Sequence, residues 1–350
     1  MLYDAKNPHG GDTYGGGIRV DLSANVNPLG TPPAVLEAAK ASLSLADRYP
    51  DPFCRDLAAA ISAHDGVPME YVLCGNGAAE LIYAWCAALR PETALETAPA
   101  FTEYSAALER TGCRVMRHPL RAEDGFLLDR GFCEAIRRQA PEAVFLTNPN
   151  NPTGRTVDPA LLREILAVCG EAGSRLFLDE CFLDLSDRRD TLADRLACAP
   201  HLTVLRAFTK AYGMAGLRLG YCLTSDAALL REMSRSVQPW NVSVPAQAAG
   251  IAALGESAFL EKARSQIRRE RAFLSRSLSD LGLTVIPSEA NFLLFSGPAG
   301  LDGKLRGRGI AVRNCENFPG LGPGWYRCAV RSRRESGAFL SALAEILEKE

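Results

Sequence analysis

The sequence predicts an α/β protein: a large domain built on a mostly parallel sheet between helices, followed by a smaller α/β unit. From about residue 53 onward, short apolar runs alternate with amphipathic helical stretches, the pattern of βαβ units around a buried parallel sheet. Beyond about residue 245 a long helical pattern is followed by further short β runs and a terminal helix, which reads as a second unit. A chain of 350 residues is long enough for one large domain or two ordinary ones, and buries enough surface to need no staples.

Taken in order, the opening stretch is irregular and rich in turn formers: His9-Gly10-Gly11, Gly15-Gly16-Gly17, Asn27-Pro28-Leu29-Gly30 and Tyr49-Pro50-Asp51-Pro52. So long an irregular opening is expected to wrap something or to carry function. Helical periodicity then runs over 56–64, and apolar β runs appear at 71–74, Ala143–Thr147, 175–178, 203–205 and 217–223. Between them lie the helical stretches Ala78–Leu89, 102–110, Pro159–Ala172 and 227–237. One long helical pattern covers roughly 245–281, and short β segments follow at 284–286, 291–295, around 309–315 and at 326–331 before the last helix. These divisions predict an N-terminal arm (1–45) joining the small domain, a large domain (46–250) and a small C-terminal domain (251–350).

Composition narrows the function classes. Hydrophobic residues are 47% and charged residues 23%, as in soluble globular chains, which excludes a disordered, collagen-like or disulfide-miniprotein reading. A formal net charge of −2 gives no strong positive field, so neither nucleic acid nor an anionic membrane is expected as a partner. No run of 18 apolar residues is present to span a bilayer. The start, Met1-Leu2-Tyr3-Asp4-Ala5-Lys6, has no hydrophobic signal core. The 11 cysteines include no C-x-x-C and accompany only 4 histidines, so no metal site is expected and the thiols suit a reducing, cytoplasmic compartment.

Four signals sit just after β runs, where ligands of open α/β sheets bind. Gly75-Asn76-Gly77-Ala78-Ala79-Glu80 opens a helix and is either an anion site, with free N–H groups and glycines that admit a phosphate, or an ordinary βα turn. Asn148-Pro149-Asn150-Asn151-Pro152-Thr153-Gly154 is a rigid turn that projects an Asn, or turn chemistry alone. Asp179 ends a buried strand and needs a partner, as a helix cap, a structural ion pair or a ligand contact. Thr209-Lys210 also follows a strand; a pocket lysine there can lose its proton and act as a nucleophile, although exposed loop lysines are commoner. Arg218, eight residues beyond Lys210, offers a fork for phosphate. A nucleotide-binding reading of residues 75–77 lacks the third glycine and leaves the other three signals unexplained.

In this order the four signals resemble the fold-type-I pyridoxal 5'-phosphate (PLP) enzymes of the aminotransferase class I/II superfamily, over essentially the whole chain. The resemblance implies a mostly parallel seven-stranded sheet, PLP as cofactor, and a homodimer with shared active sites. By position, Lys210 condenses with the PLP aldehyde, Asp179 pairs with the ring nitrogen, and Asn151 meets the phenolic oxygen. Gly77, Ala78, Thr209 and Arg218 hold the phosphate, Phe101 stacks on the ring, and Tyr49 reaches the PLP phosphate in the other subunit. Arg327 clamps a substrate carboxylate. Phe182 stands where related aminotransferases usually have Tyr, so a hydrogen bond to the phenolic oxygen is missing.

Two subfamilies are similar: the histidinol-phosphate aminotransferases and the L-threonine-O-3-phosphate decarboxylases of cobalamin synthesis. The decarboxylases are resembled by His9-Gly10-Gly11, by Asp21-Leu22-Ser23-Ala24-Asn25-Val26-Asn27-Pro28-Leu29-Gly30, by Gln238-Pro239-Trp240-Asn241 and by Val312-Arg313-Asn314-Cys315-Glu316-Asn317-Phe318-Pro319-Gly320. Phe182 also fits them. This resemblance implies a small phosphorylated amino acid as substrate, contacted by His9, Asn25, Arg313 and Arg327, with the division of carboxylate and phosphate between the two arginines left open. It implies loss of CO2 from L-threonine O-3-phosphate; the alternative is an aminotransferase that uses 2-oxoglutarate.

Overall fold

A computed structural model of the chain describes residues 8–14 and 17–349; residues 1–6, read above for a signal core, and Gly15 and Gly16 lie outside them. The elements run β1 (Val20–Asp21), α1 (Pro33–Ser42), α2 (Arg55–Asp65), β2 (Val72–Gly75), α3 (Ala78–Leu89), β3 (Thr93–Ala98), α4 (Glu103–Glu109) and β4 (Arg114–Pro119). Next come α5 (Gly131–Gln139), β5 (Ala143–Thr147), α6 (Pro159–Ala172), β6 (Arg175–Asp179), β7 (Leu202–Ala207), α7 (Phe208–Ala211), β8 (Gly220–Leu223) and α8 (Ala227–Ser236). The chain continues through α9 (Val244–Leu254), α10 (Ser257–Asp280), β9 (Thr284–Val285), β10 (Phe292–Ser296), α11 (Leu301–Arg306), β11 (Ile310–Ala311), β12 (Arg313–Asn314), β13 (Trp325–Ala329) and α12 (Arg333–Leu347).

Seven strands among the described residues form one sheet in the order β2-β8-β7-β6-β5-β3-β4, parallel except for β8, which runs antiparallel to both its neighbours. The architecture is the one the resemblance implies, a mostly parallel seven-stranded sheet between helices with a smaller antiparallel C-terminal unit. Alternation along the central strands explains its two layers. Val144, Leu146, Leu176 and Leu178 face one way, against Phe132 and Ile136 of α5 and Leu162 and Ile165 of α6. Phe145, Phe177 and Leu205 face the other way, against Trp85 of α3 and Tyr104 and Leu108 of α4.

The smaller unit is a four-stranded antiparallel sheet, β12-β13-β10-β9, whose Leu293, Phe295, Tyr326 and Cys328 pack with Leu274 of α10 and Phe339 of α12. The arm is shared between the two units. Its β1 pairs in parallel with β11, Val20 against Ile310 and Asp21 against Ala311, whereas α1 lies against α9.

Two differences from the sequence pattern have physical causes. The single long helix expected over roughly 245–281 is two, α9 and α10, because Gly255, a poor helix former, ends the first. Strands β3 and β4 carry no clean apolar period: β3 includes Thr93, Glu96 and Thr97, and β4, at the sheet edge, is Arg114-Val115-Met116-Arg117-His118-Pro119. No helix among the described residues is long and apolar enough to cross a membrane.

A buried ionic knot ties β6, β7, β8 and α2 together. Arg206 on β7 donates to Glu180 at 2.9 Å and to Asp65 at 3.1 Å, and Tyr221 donates to the other oxygen of Asp65 at 2.9 Å. Thr191 donates to Glu180 at 2.8 Å. The Glu180 side chain is 0% exposed, so removing Arg206 strands its charge, and Asp65, 2% exposed, is left with the His64 ring at 2.7 Å. Arg206→Ala should lower stability by about 3 kcal/mol or more, read as the shift in a denaturant unfolding midpoint. An unshifted midpoint would mean that the knot is solvated.

Candidate active site

The last residues of three adjacent parallel strands, Thr147, Asp179 and Ala207, open into one cavity of about 310 Å³. Register sets them side by side: Thr147 pairs with Asp179, and Asp179 with Leu205. The large unit supplies the floor, β12 and β13 supply one wall, and residues of the arm close another.

Asp179 is 5% exposed. Its Oδ1 accepts the Cys181 N–H at 2.8 Å and its Oδ2 accepts the Tyr104 hydroxyl at 2.5 Å. Burial pushes its pKa up, while these hydrogen bonds and the neighbouring Lys210 charge pull it back. Lys210 projects from the single turn α7 directly after β7, with its Nζ 5.7 Å from the centre of the Phe182 ring. Burial, and after it the positive charge of Arg327, pushes its pKa down to about 8, with Arg218 adding to the fall and Cys181 and Asp179 opposing it. At a pH slightly above neutral, a good part of this amine is therefore unprotonated and nucleophilic.

Asn151 reaches the cavity from the Asn-Pro turn, which is stiffened by its own bonds. Asn148 N–H donates to the Asp179 carbonyl at 2.8 Å, Asn148 Oδ1 accepts from Val157 N–H at 3.0 Å, and Asn150 Nδ2 donates to the Pro99 carbonyl at 3.1 Å. Asn151 Oδ1 accepts from Arg327 Nη1, and Arg327 Nη2 donates to the Ser23 carbonyl at 3.0 Å. Burial lowers the Arg327 pKa to about 10, which leaves it charged at neutral pH. Arg313 lies directly across the β12–β13 ladder from Arg327 and donates to Asn317 Oδ1 at 2.7 Å.

The cavity thus gathers Ala78, Phe101, Asn151, Asp179, Thr209, Lys210, Arg218, Arg313 and Arg327, together with His9 and Asn25 from the arm. Gly77 borders it: its φ is +80°, and a Cβ there would stand 2.5 Å from Arg218 Nη2, so glycine alone leaves the guanidinium its place. Phe182 lines the same space, with no hydroxyl to offer. Tyr49 is not brought there. It is 78% exposed and stacks on Trp240 with ring centres 4.4 Å apart.

Sequence reasoning missed Tyr104, Thr147 and Glu103, which also line the cavity. The signals were available: Tyr104 lies one helical turn beyond Phe101, and Thr147 ends the strand that pairs with Asp179. Glu103 Oε1 lies 2.8 Å from His9 Nε2 and its other oxygen accepts the Tyr83 hydroxyl at 2.7 Å, so the arm is held against α4.

The profile of the family described as aminotransferase class I and II matches residues 18–343. The threonine-phosphate decarboxylase of Salmonella typhimurium is 38% identical over 332 residues, covering 94% of this chain and 91% of that protein. A histidinol-phosphate aminotransferase of an Anaeromyxobacter species is 36% identical over 346 residues, covering 95% and 92%. The crystal structure of histidinol-phosphate aminotransferase from Sinorhizobium meliloti in complex with pyridoxal-5'-phosphate superposes with a TM-score of 0.84 at 25% identity, covering 95% of this chain and 92% of that one.

The residues present fit PLP. A desolvated amine for the aldehyde, a buried carboxylate for the ring nitrogen, and a glycine cradle with Arg218 and Thr209 for the phosphate all open into one cavity. With the cofactor stripped, capture of PLP at Lys210 by borohydride should rise with pH through a midpoint near 8, since the amine is charged below that value and neutral above it. In Arg327→Gln the midpoint should move upward, because the largest opposing charge is gone; a midpoint near 10 in the unaltered chain would mean an ordinary solvated lysine.

Proposed function

As the chain belongs to the aminotransferase class I and II family, whose members work with PLP, we propose that it is a decarboxylase of L-threonine O-3-phosphate. Its products would be CO2 and (R)-1-amino-2-propanol O-2-phosphate, for cobalamin synthesis. One observation carries the substrate class: Arg313 and Arg327 face one another across two strands, 9% and 7% exposed, and among the described residues neither is in an ion pair. Like charges held this way favour an anion between them. A ligand with both a carboxylate and a phosphate supplies two.

In this reading Lys210 holds the cofactor and Asp179 holds its ring nitrogen protonated. Bound PLP draws the electron pair of the breaking bond into its ring. Asn151, Phe101, Thr209, Arg218, Ala78 and Gly77 fix the cofactor's tilt and its phosphate. The arginines and the arm residues His9 and Asn25 would hold the substrate's carboxylate and phosphate, and so select the bond to the carboxylate as the one that breaks. The carboxylate carbon would leave as CO2, and Lys210, carrying the proton as an ammonium, would deliver it to Cα. Asn25 suits a ligand contact: its side-chain nitrogen and oxygen are both buried without a partner. Phe182, an apolar neighbour of Lys210, keeps that wall dry.

The second reading, a histidinol-phosphate or related aminotransferase, is favoured by the 36% identity to such an enzyme. We also propose a homodimer in which Tyr49 serves the other subunit's site. Support comes from the large apolar side chains left exposed along this segment, Leu43, Tyr49 and Phe53 at 59%, 78% and 70%, and from Trp240 stacked on Tyr49.

With L-threonine O-3-phosphate as sole substrate, the purified protein should release CO2 with no 2-oxo acid present. A requirement for 2-oxoglutarate, with glutamate formed, would replace this reading by the second. Lys210→Ala should abolish turnover, and Arg327→Ala should raise KM by about 10- to 100-fold while the protein keeps its cofactor colour. Mixing inactive Lys210→Ala and Tyr49→Ala chains should restore turnover if sites are shared; no recovery after subunit exchange would remove Tyr49 from the site.

A further inference from the structure

The reading above leaves Tyr104 without a task, although it is the side chain most closely bound to Asp179. It is 1% exposed and its ring is pinned, edge-on to Phe101 at 5.6 Å and tilted on Phe145 at 5.2 Å between centres. Its hydroxyl has two neighbours, Asp179 Oδ2 at 2.5 Å and Thr147 Oγ1 at 2.9 Å. A tyrosine has one proton to give. A carboxylate oxygen can only accept, so that proton goes to Asp179 and the Thr147 hydroxyl donates to Tyr104.

The result is a directed chain, Thr147 to Tyr104 to Asp179, running across the ends of β5 and β6 from one helix of the large unit. Both anchors are rigid: Thr147 is the register partner of Asp179, and Tyr104 is fully packed. Asp179 Oδ1 is already turned by the Cys181 N–H. With Oδ2 bonded as well, both carboxylate oxygens are held, and each keeps acceptor capacity for a further donor.

We propose that Tyr104, braced by Thr147, is a positioning residue that orients the Asp179 carboxylate toward the cofactor's ring nitrogen and thereby sets how tightly the chain holds PLP. The proposal rests on the PLP reading of the cavity. Burial and the adjacent carboxylate hold the Tyr104 proton on well past the ordinary phenol range, so it remains a donor across the working pH. The same bond helps to keep the buried Asp179 charged. Removing it frees the carboxylate to turn and to take up a proton of its own, and the ring nitrogen then loses its partner.

The test is a binding cycle on the full chain, stripped of cofactor, with two probes: PLP, and the PLP analogue that has carbon in place of the ring nitrogen. Unaltered chain should hold PLP more tightly than the analogue; equal affinities would instead break the pairing of Asp179 with the ring nitrogen, and the proposal with it. Tyr104→Phe should weaken PLP by about tenfold, the worth of one hydrogen bond to a charged group, and the analogue by less than about twofold. Equal weakening of both probes, as lost packing alone would give, or of neither, overturns the proposal. Should Tyr104→Phe fail to fold by its unfolding transition, Thr147→Val reads the same coupling. A selective loss for PLP of about threefold, smaller because Thr147 acts through Tyr104, supports it, and an unselective loss overturns it.

Discussion

The site depends on the parallel ladder that sets Thr147 beside Asp179 and Asp179 beside Leu205. Side chains alternate along a strand, so a slip of one residue would turn Asp179 to the opposite face, among Leu146, Leu178 and the α5–α6 layer. On its own face it meets Tyr104 of α4 and shares a cavity with Lys210. A carboxylate with 5% exposure tolerates few environments, and this register supplies one with hydrogen-bond donors. The apolar packing of both layers therefore does chemical work, because it holds a charged group where water cannot solvate it.

Positive charge is divided between the two units. Lys210 and Arg218 come from the large one, Arg313 and Arg327 from the small one, and the acids lining the cavity are Asp179 and Glu103. Four cations against two acids make a site suited to anions, and the proximity of Arg327 and Arg218 depresses the Lys210 pKa beyond the effect of burial. The groups that attract an anionic ligand thus also help to keep the amine reactive. Lys210 and Arg218 stand on loops after strands, whereas Arg313 and Arg327 are a cross-strand pair, so the two groups can be tuned separately.

Much of this was legible in the sequence because strand ends carry punctuation. Gly75-Asn76-Gly77, Asn148-Pro149-Asn150-Asn151-Pro152 and Thr209-Lys210 each interrupt an apolar run, and each lines or borders the cavity. What was less legible has physical reasons. Strand β4 is an edge strand, so Arg114, Arg117 and His118 blur its period, and Gly255 ends a helix without a proline to mark it. Tyr104 looks like an ordinary core aromatic, since its hydroxyl acquires meaning only when β6 brings Asp179 within 2.5 Å. Tyr49, read from a motif, is 78% exposed on the single chain, and a role in another subunit's site cannot be read from one chain's sequence pattern.

The arm has a consequence for how the protein comes into being. Val20 and Asp21 pair with Ile310 and Ala311, Asn317 Nδ2 donates to the Pro8 carbonyl at 3.2 Å, and the Arg327 guanidinium is fastened to the Ser23 carbonyl. Residues 20–23 thus find these partners only once residues 310–327 have been made. A nascent chain can complete its seven-stranded sheet while still on the ribosome, as domains fold in order of emergence. Residues 20–23 then wait for their partners until the closing strands appear. Termination between β8 and those strands would leave the large sheet without the wall that Arg313 and Arg327 supply to the cavity.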